Sequence, residues 1–362
     1  MAYTTIDNPG LFFNTVLWSG NSSTQSVTGV GFQPDWVWVK NRSASQPNIV
    51  QDIVRGKSGS NFKYLFTNTT DAEAVQSDND GIQSFDADGF SMNHTDSGGW
   101  NESGSNYVGW SWKAGGTASS NSNGSITSTV SASAASGFSI VSWTGSGSDA
   151  TIGHGLSSAP EMYVVKNRSD SSTDWRVGQT VSGNIMTGGN GYYMEWNDTK
   201  ASTNPGSAVT WGSTPTAPTS SVFTVGSNNS HNGSSDNMLA YCFHSVKGFS
   251  KIGGYTGNGN ANGTFVYTGF KPAWVMFKRT NGTGNWQLID NKRIGFNVDN
   301  YTLYPNSNLA DQDEDDADIL SNGFKLRGTG TDGNGSGDTY IYMAFAENPF
   351  VTAGTKAAGT AR

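Results

Sequence analysis

The sequence predicts an all-β protein made of three tandem β-sandwich repeats, jelly-roll or lectin-like in layout. Three observations predict it. Glycine is abundant, 47 of 362 residues, and charged residues are only 14%, against roughly 7% and 25% in an average globular chain. Aromatics still reach 12% and stand in alternating runs, which separates this composition from disorder. A strand that follows a proline and ends on a lysine occurs three times: Pro34 to Lys40, Pro160 to Lys166 and Pro272 to Lys278. A repeat at this spacing marks the architecture.

The repeat has five landmarks in constant order. First comes a strand that opens near a Phe and ends on an aromatic and a Gly: Trp18 and Gly20, Trp143 and Gly145, Tyr255 and Gly257. The proline–lysine strand is second. A short segment follows at Gln51, Asp174 and Asn285. A turn then leads into a strand with Phe90, Phe223 or Phe324, and an aromatic strand closes the unit from Tyr107, Met238 or Tyr340. Strands bounded by Gly-rich turns at this spacing indicate sandwiches. The units run 1–115, 116–247 and 248–350, with a tail at 351–362. The Gly/Ser/Asn stretch after Lys113 suits a turn or linker, and Ile126–Val130 reads as an edge strand of the second unit. Only Asp311–Gly323, acidic at its front and ending in Asn-Gly, is expected to form a turn or two of helix.

The proline–lysine strand is apolar on both faces. Trp36 and Trp38 alternate with Val37 and Val39, Met162 and Val164 with Tyr163 and Val165, and Trp274 and Met276 with Val275 and Phe277. A strand with one wet face alternates apolar and polar, so both faces here must be covered. The sandwich core covers one, and a loop, a neighbouring unit or a partner chain the other. The lysine is expected to mark the exit to solvent.

Several function classes are disfavoured. A net charge of −8 without a Lys/Arg cluster argues against nucleic acid. No run of 18 apolar residues occurs, so no membrane insertion is expected, and the first ten residues lack the pattern of a signal peptide. Cys242 is single and lies in an apolar run, which reads as a small buried hydrophobe. His94, His154, His231 and His244 have no zinc spacing. P-loop, G-x-S-x-G and H-E-x-x-H motifs are missing. Asp52, Asp174 and Asp290 have the type for glycosidase chemistry, but two of them recur in the third landmark, so a structural role is simpler and no enzyme is expected.

Two kinds of site remain. Ca²⁺ takes six to eight oxygens, and Asp78, Asp80, Asp86 and Asp88, or Asp311, Asp313 and Asp315, concentrate carboxylates without the EF-hand spacing. A solvated acidic loop is the simpler reading of both stretches, and no cofactor is expected otherwise. Aromatic rings beside Asn, Asp and Gly form sugar sites, because a sugar face stacks on a ring while amides and carboxylates bind its hydroxyls. Trp100, Tyr192, Tyr193 and Trp196 are the candidates, set against a role as caps on the core. The Asn-x-Ser/Thr sequons are frequent enough to arise by composition.

The segments "MAYTTIDNPGLFFNTVLWSG", "GVGFQPDWVWVKNRS", "GHGLSSAPEMYVVKNRS" and "SNGFKLRGTGTDGNGSGDTYIYMAFAENPF" resemble a family of repeated β-domains in structural proteins of marine tailed bacteriophages. The resemblance spans nearly the whole chain and implies a virion protein made in the host cytoplasm, with lectin-like sandwiches and no established catalytic residues. It implies other virion proteins as partners, host surface glycans as ligands, and a homo-oligomer, a trimer by analogy with fibres. Two roles follow: an exposed protein on a tail appendage or capsid surface that contacts the host envelope through glycans, or a purely architectural decoration, knob or adaptor. An envelope-depolymerising enzyme is the weakest third.

Overall fold

The computed structural model describes residues 4–75, 81–93, 99–182, 191–205, 210–293, 297, 301–314 and 316–351. The fold is all-β. Every strand pairing within its sheets is antiparallel, and among the described residues the helices are a 3-10 turn, Pro9–Leu11, and one α-helical turn, Asn229–Asn232.

The landmarks become neighbours in space. In the first unit the sheet order is Phe13–Ser19, Asn106–Trp112, Trp36–Asn41, Ile49–Asp52 and Tyr64–Phe66. In the third it is Ser250–Thr256, Thr339–Pro349, Phe270–Arg279 and Gln287–Asp290. The second follows the same order through Phe138–Thr144, Asn237–Phe243, Met162–Asn167, Arg176–Gln179 and Met194–Glu195. The closing strand therefore lies between the opening and the proline–lysine strands. Register aligns the units: Trp38 faces Trp110, Val164 faces Tyr241, and Met276 faces Met343.

A smaller sheet covers each of these. It holds Gln25–Thr28, Gly89–Asn93 and Gly81–Asp86 in the first unit, Ala150–Gly153 with Val222–Val225 in the second, and Phe265–Tyr267, Gly323–Leu326 and Ala317–Leu320 in the third. Phe90, Phe223 and Phe324 point inward from these outer sheets and are fully buried. They pack with Val37 and Val39, with Tyr163 and Val165, and with Val275 and Phe277 respectively.

The other face of each proline–lysine strand enters one core shared by all three units. Trp36, Trp38, Met162, Val164, Trp274 and Met276 belong to the same buried cluster. Trp36 stacks on Tyr241 with centroids 4.5 Å apart, and Trp112 meets Trp274 edge-on at 5.7 Å. Phe345 touches both Trp112 and Phe243, which hold its position in the other two closing strands. Neighbouring units thus cover the second apolar face. Burying a large apolar side chain contributes roughly 1.5–3 kcal/mol, and this cluster holds eight tryptophans, Trp36, Trp38, Trp110, Trp112, Trp175, Trp196, Trp274 and Trp286.

Two local expectations change. The described residues of Asp311–Gly323 are not helical: they contain strands Gln312–Asp313 and Ala317–Leu320, because Ala317 and Ile319 alternate into the third unit's core. The linker region after Lys113 forms strand Ser119–Asn121, which pairs outside Ser128–Ser133 and takes the edge position. The tail at 352–362 lies outside the described residues.

Candidate functional site

The recurring lysines do not exit to solvent. Lys40, Lys166 and Lys278 are fully buried, and each reaches a carbonyl of another unit. Lys40 Nζ donates to Asn308 O at 2.8 Å, Lys166 Nζ to Thr70 O at 2.7 Å, and Lys278 Nζ to Thr199 O at 3.0 Å. Two residues further on, the carbonyls of Arg42, Arg168 and Thr280 accept the N–H groups of Asp311, Glu73 and Ser202 at 2.8–3.1 Å. Asn48, Trp175 and Trp286 add a third set, donating side-chain N–H to Tyr304 O, Phe66 O and Glu195 O. In all three sets the first unit reaches the third, the second reaches the first, and the third reaches the second. The units close into a ring with threefold pseudo-symmetry. Burial lowers Lys40 to about 7 against the pull of Asp311, and lowers Lys166 and Lys278 to about 8.

The carboxylates considered for catalysis are held in ion pairs. Asp52 binds Arg55 at 2.5 Å and Asp290 binds Arg293 at 2.7 Å, with all four side chains buried. Each aspartate also accepts from the next unit, Tyr241 Oη at 2.8 Å and Trp110 Nε1 at 3.0 Å. Burial alone would raise the Asp290 carboxyl, but Arg293 and its hydrogen bonds outweigh it and hold it below the usual range. In the second unit the same positions are Gln179 and Ser182, and Met343 replaces the donor. Carboxylate, arginine and donor are lost together, as expected of one buried polar unit. Asp174 bonds Asn197 Nδ2 at 2.9 Å and pairs with Arg176.

The sugar candidates separate. Trp196 is fully buried, edge-on to Trp38 at 5.0 Å and Trp175 at 5.8 Å. Trp100 is 4% exposed and packs edge-on against Tyr64. Neither ring has a face free for a sugar, so both are core aromatics. Tyr192 is half-buried, and its carbonyl accepts from Trp211 Nε1. Tyr193, also half-buried, lines a cavity of about 250 Å³ with Arg176, Thr203, Asn228 and His231. The most exposed aromatics among the described residues, Phe265 at 44% and Tyr267 at 56%, were not among the candidates. Their alternation around buried Val266 was the available signal.

The metal candidates form no cluster among the described residues. Asp78, Asp80 and Asp315 lie outside the described residues. Asp86 accepts from Ser91 Oγ, and Asp88 from the N–H groups of Gly29 and Gly31. Asp311 is not free for a cation, since it pairs with Arg42 across the seam at 2.7 Å and with Arg293 of its own unit at 2.9 Å. Asp313 is exposed in the short strand Gln312–Asp313.

A sixth landmark escaped the sequence reading. Asn101, Asn232 and Asn334, each in an Asn-x-Ser triplet, are almost completely buried. Their Oδ1 atoms accept from the N–H groups of Asn21, Ser146 and Asn258. Their Nδ2 groups donate to the carbonyls of Ser23, Ser148 and Asn260 at 2.7–2.9 Å. They clamp the turn after each opening strand, and their burial explains these three sequons.

One family, described as a domain of unknown function, DUF7483, matches residues 8–349. The chain belongs to this family. The DUF7483 match runs across all three units and their shared core. No curated protein matches the chain. Among the described residues of this DUF7483 protein, no helix is long and apolar enough to cross a membrane.

Proposed function

We propose that this protein is an architectural component of a tailed-phage virion, a decoration or adaptor that works as a rigid three-unit block. The virion context rests on the sequence resemblance. The mechanical role is supported by one observation above the others: the repeated aromatic, lysine and asparagine positions are directed into the shared core, the closed seam and the turn clamps. Little of what recurs three times is left to act on a substrate. Copy-number proteomics and a density map of the purified particle that encodes this chain test the reading. Fixed stoichiometry and a three-lobed density are expected. Absence from washed particles overturns it.

Host-envelope contact is a second reading, favoured by Phe265 and Tyr267, which stand exposed on strand Phe265–Tyr267. Tyr267 borders a hollow of about 510 Å³ that also holds Lys247 and Lys251. Exposed aromatics beside polar groups suit a contact surface. Binding of the purified chain to host cells or a glycan array, weakened by Tyr267→Ser, is the expected result. Equal binding by the variant ends this reading.

A further inference from the structure

The cavity at Tyr193 has an internal control, because the same three positions occur in the other two units. Register and the equivalent asparagines align Arg176 with Ile49 and Gln287, Tyr193 with Tyr64 and Thr302, and His231 with Trp100 and Gly333. In the first unit the place is filled by apolar side chains. Trp100 packs edge-on against Tyr64 at 5.6 Å, and the Ile49 side chain occupies the space that a Cβ on Gly99 would need. In the second unit a smaller imidazole replaces the indole, a guanidinium replaces the Ile side chain, and the cavity of about 250 Å³ remains.

Two residues that line this cavity carry buried polar atoms without a partner. His231 is 1% exposed, yet neither ring nitrogen has a hydrogen-bond partner. Its ring lies edge-on to two aromatic rings, Trp211 at 4.5 Å and Tyr193 at 6.4 Å between centroids. Arg176 stacks over the Tyr193 ring at 4.2 Å and binds Glu195 and Asp174, but its Nε is also unpartnered. A buried polar group without a partner costs about 1–3 kcal/mol, and such groups call for an explanation in ligand or water. Two residues carrying them line one cavity.

We propose that this cavity is a binding site for a small, neutral, polyhydroxylated ligand, a single sugar ring, held by His231, Arg176 and Tyr193. Size limits the ligand to about one ring, since sites for drug-sized molecules run ~300–1,000 Å³. Charge selects neutrality. Arg176 and Lys200 share three carboxylates, Glu195, Asp174 and Asp198, so an anion finds no free positive charge there, while a cation in the cavity would meet the Arg176 guanidinium that lines it. Burial, reinforced by Arg176, pushes His231 well below its ordinary range and keeps the imidazole neutral. A neutral imidazole offers one donor and one acceptor, which suits hydroxyl groups. The site does not depend on the virion reading.

Saturation-transfer NMR of the full chain with glucose, galactose, mannose and N-acetylglucosamine tests this. At least one sugar is expected to bind saturably, and His231→Trp, which restores the indole of the first unit, should weaken it at least about tenfold while the melting temperature holds. Should that variant fail to fold, the side-chain nitrogen signals of His231 in the native chain decide. They must shift on saturation with the sugar. No saturable binding by any of the four, equal binding by a folded His231→Trp, or unmoved His231 nitrogens overturns the proposal. Incorporation into particles is measured separately, so failure here leaves the architectural reading standing.

Discussion

Asp52 and Arg55 are both shielded from water, so each depends on the other remaining charged. Asp52→Asn removes the nearer carboxylate and leaves the buried guanidinium only Glu73, 3.7 Å away, as a charged partner, and should cost about 3 kcal/mol, read as a lower urea midpoint. Replacing the group as the second unit does, with Asp52→Gln, Arg55→Ser and Tyr241→Met together, should recover most of that loss. If the triple variant is no more stable than the single one, the three residues do not act as a unit. The buried lysines make a pH prediction. Their folded-state pKa values of about 7 to 8 lie below the ordinary 10.5, so the folded form resists their protonation. Stability should therefore rise from pH 7 to pH 9.5, and the urea midpoint should follow. Lys40→Met should flatten the rise by removing one of the three groups. A midpoint that falls over this range contradicts it. The lysines were visible in the sequence as a repeated position, but the type of residue pointed outward. Nothing local in Lys-Asn-Arg reveals that the carbonyl meeting Lys40 belongs to Asn308.

Each opening strand ends on a glycine for a physical reason. A Cβ on Gly20, Gly145 or Gly257 would collide with the carbonyl oxygens of Glu102, Gly233 or Gly335, which belong to the Asn-x-Ser clamps. Gly145→Ala should destabilise the chain by roughly 1–3 kcal/mol through this overlap, as measured by chemical denaturation. An unchanged midpoint would mean that the clamp gives way freely. The strand repeat was legible because period-two alternation and aromatic landmarks survive in one sequence. Two things were harder to read. In the third unit the Phe has slipped: Phe13 and Phe138 face Trp112 and Phe243, while Ser250, not Phe249, faces Phe345. The acidic stretch around Asp311 also misled, since its composition favours a helix start while its alternation at Ala317 and Ile319 favours strand. Trp196 and Trp100 misled in the same way, because a polar sequence neighbourhood does not report which face of a turn is covered.

Three two-layered units sharing one aromatic core should unfold as one body. Thermal unfolding followed by tryptophan fluorescence and by far-ultraviolet circular dichroism should give a single coincident transition. Separate transitions would show that the shared core is not what holds the units together. Ending the chain at residue 247 removes Asn308, Tyr304 and Asp311, the partners of Lys40, Asn48 and Arg42, and should abolish cooperative unfolding. The tandem order of the units was readable from the sequence; their closure into a ring was not, because it depends on contacts between residues hundreds of positions apart. That closure constrains how the protein is made. Lys40 Nζ and Asn308 O are separated by 268 residues, a gap a ribosome crosses in roughly 15–50 s at about 5–20 residues per second. Until then the tryptophan face of the first unit has no complete cover. The nascent chain carries an unfinished hydrophobic surface for most of its synthesis, which makes the last third of translation the step that seals the molecule.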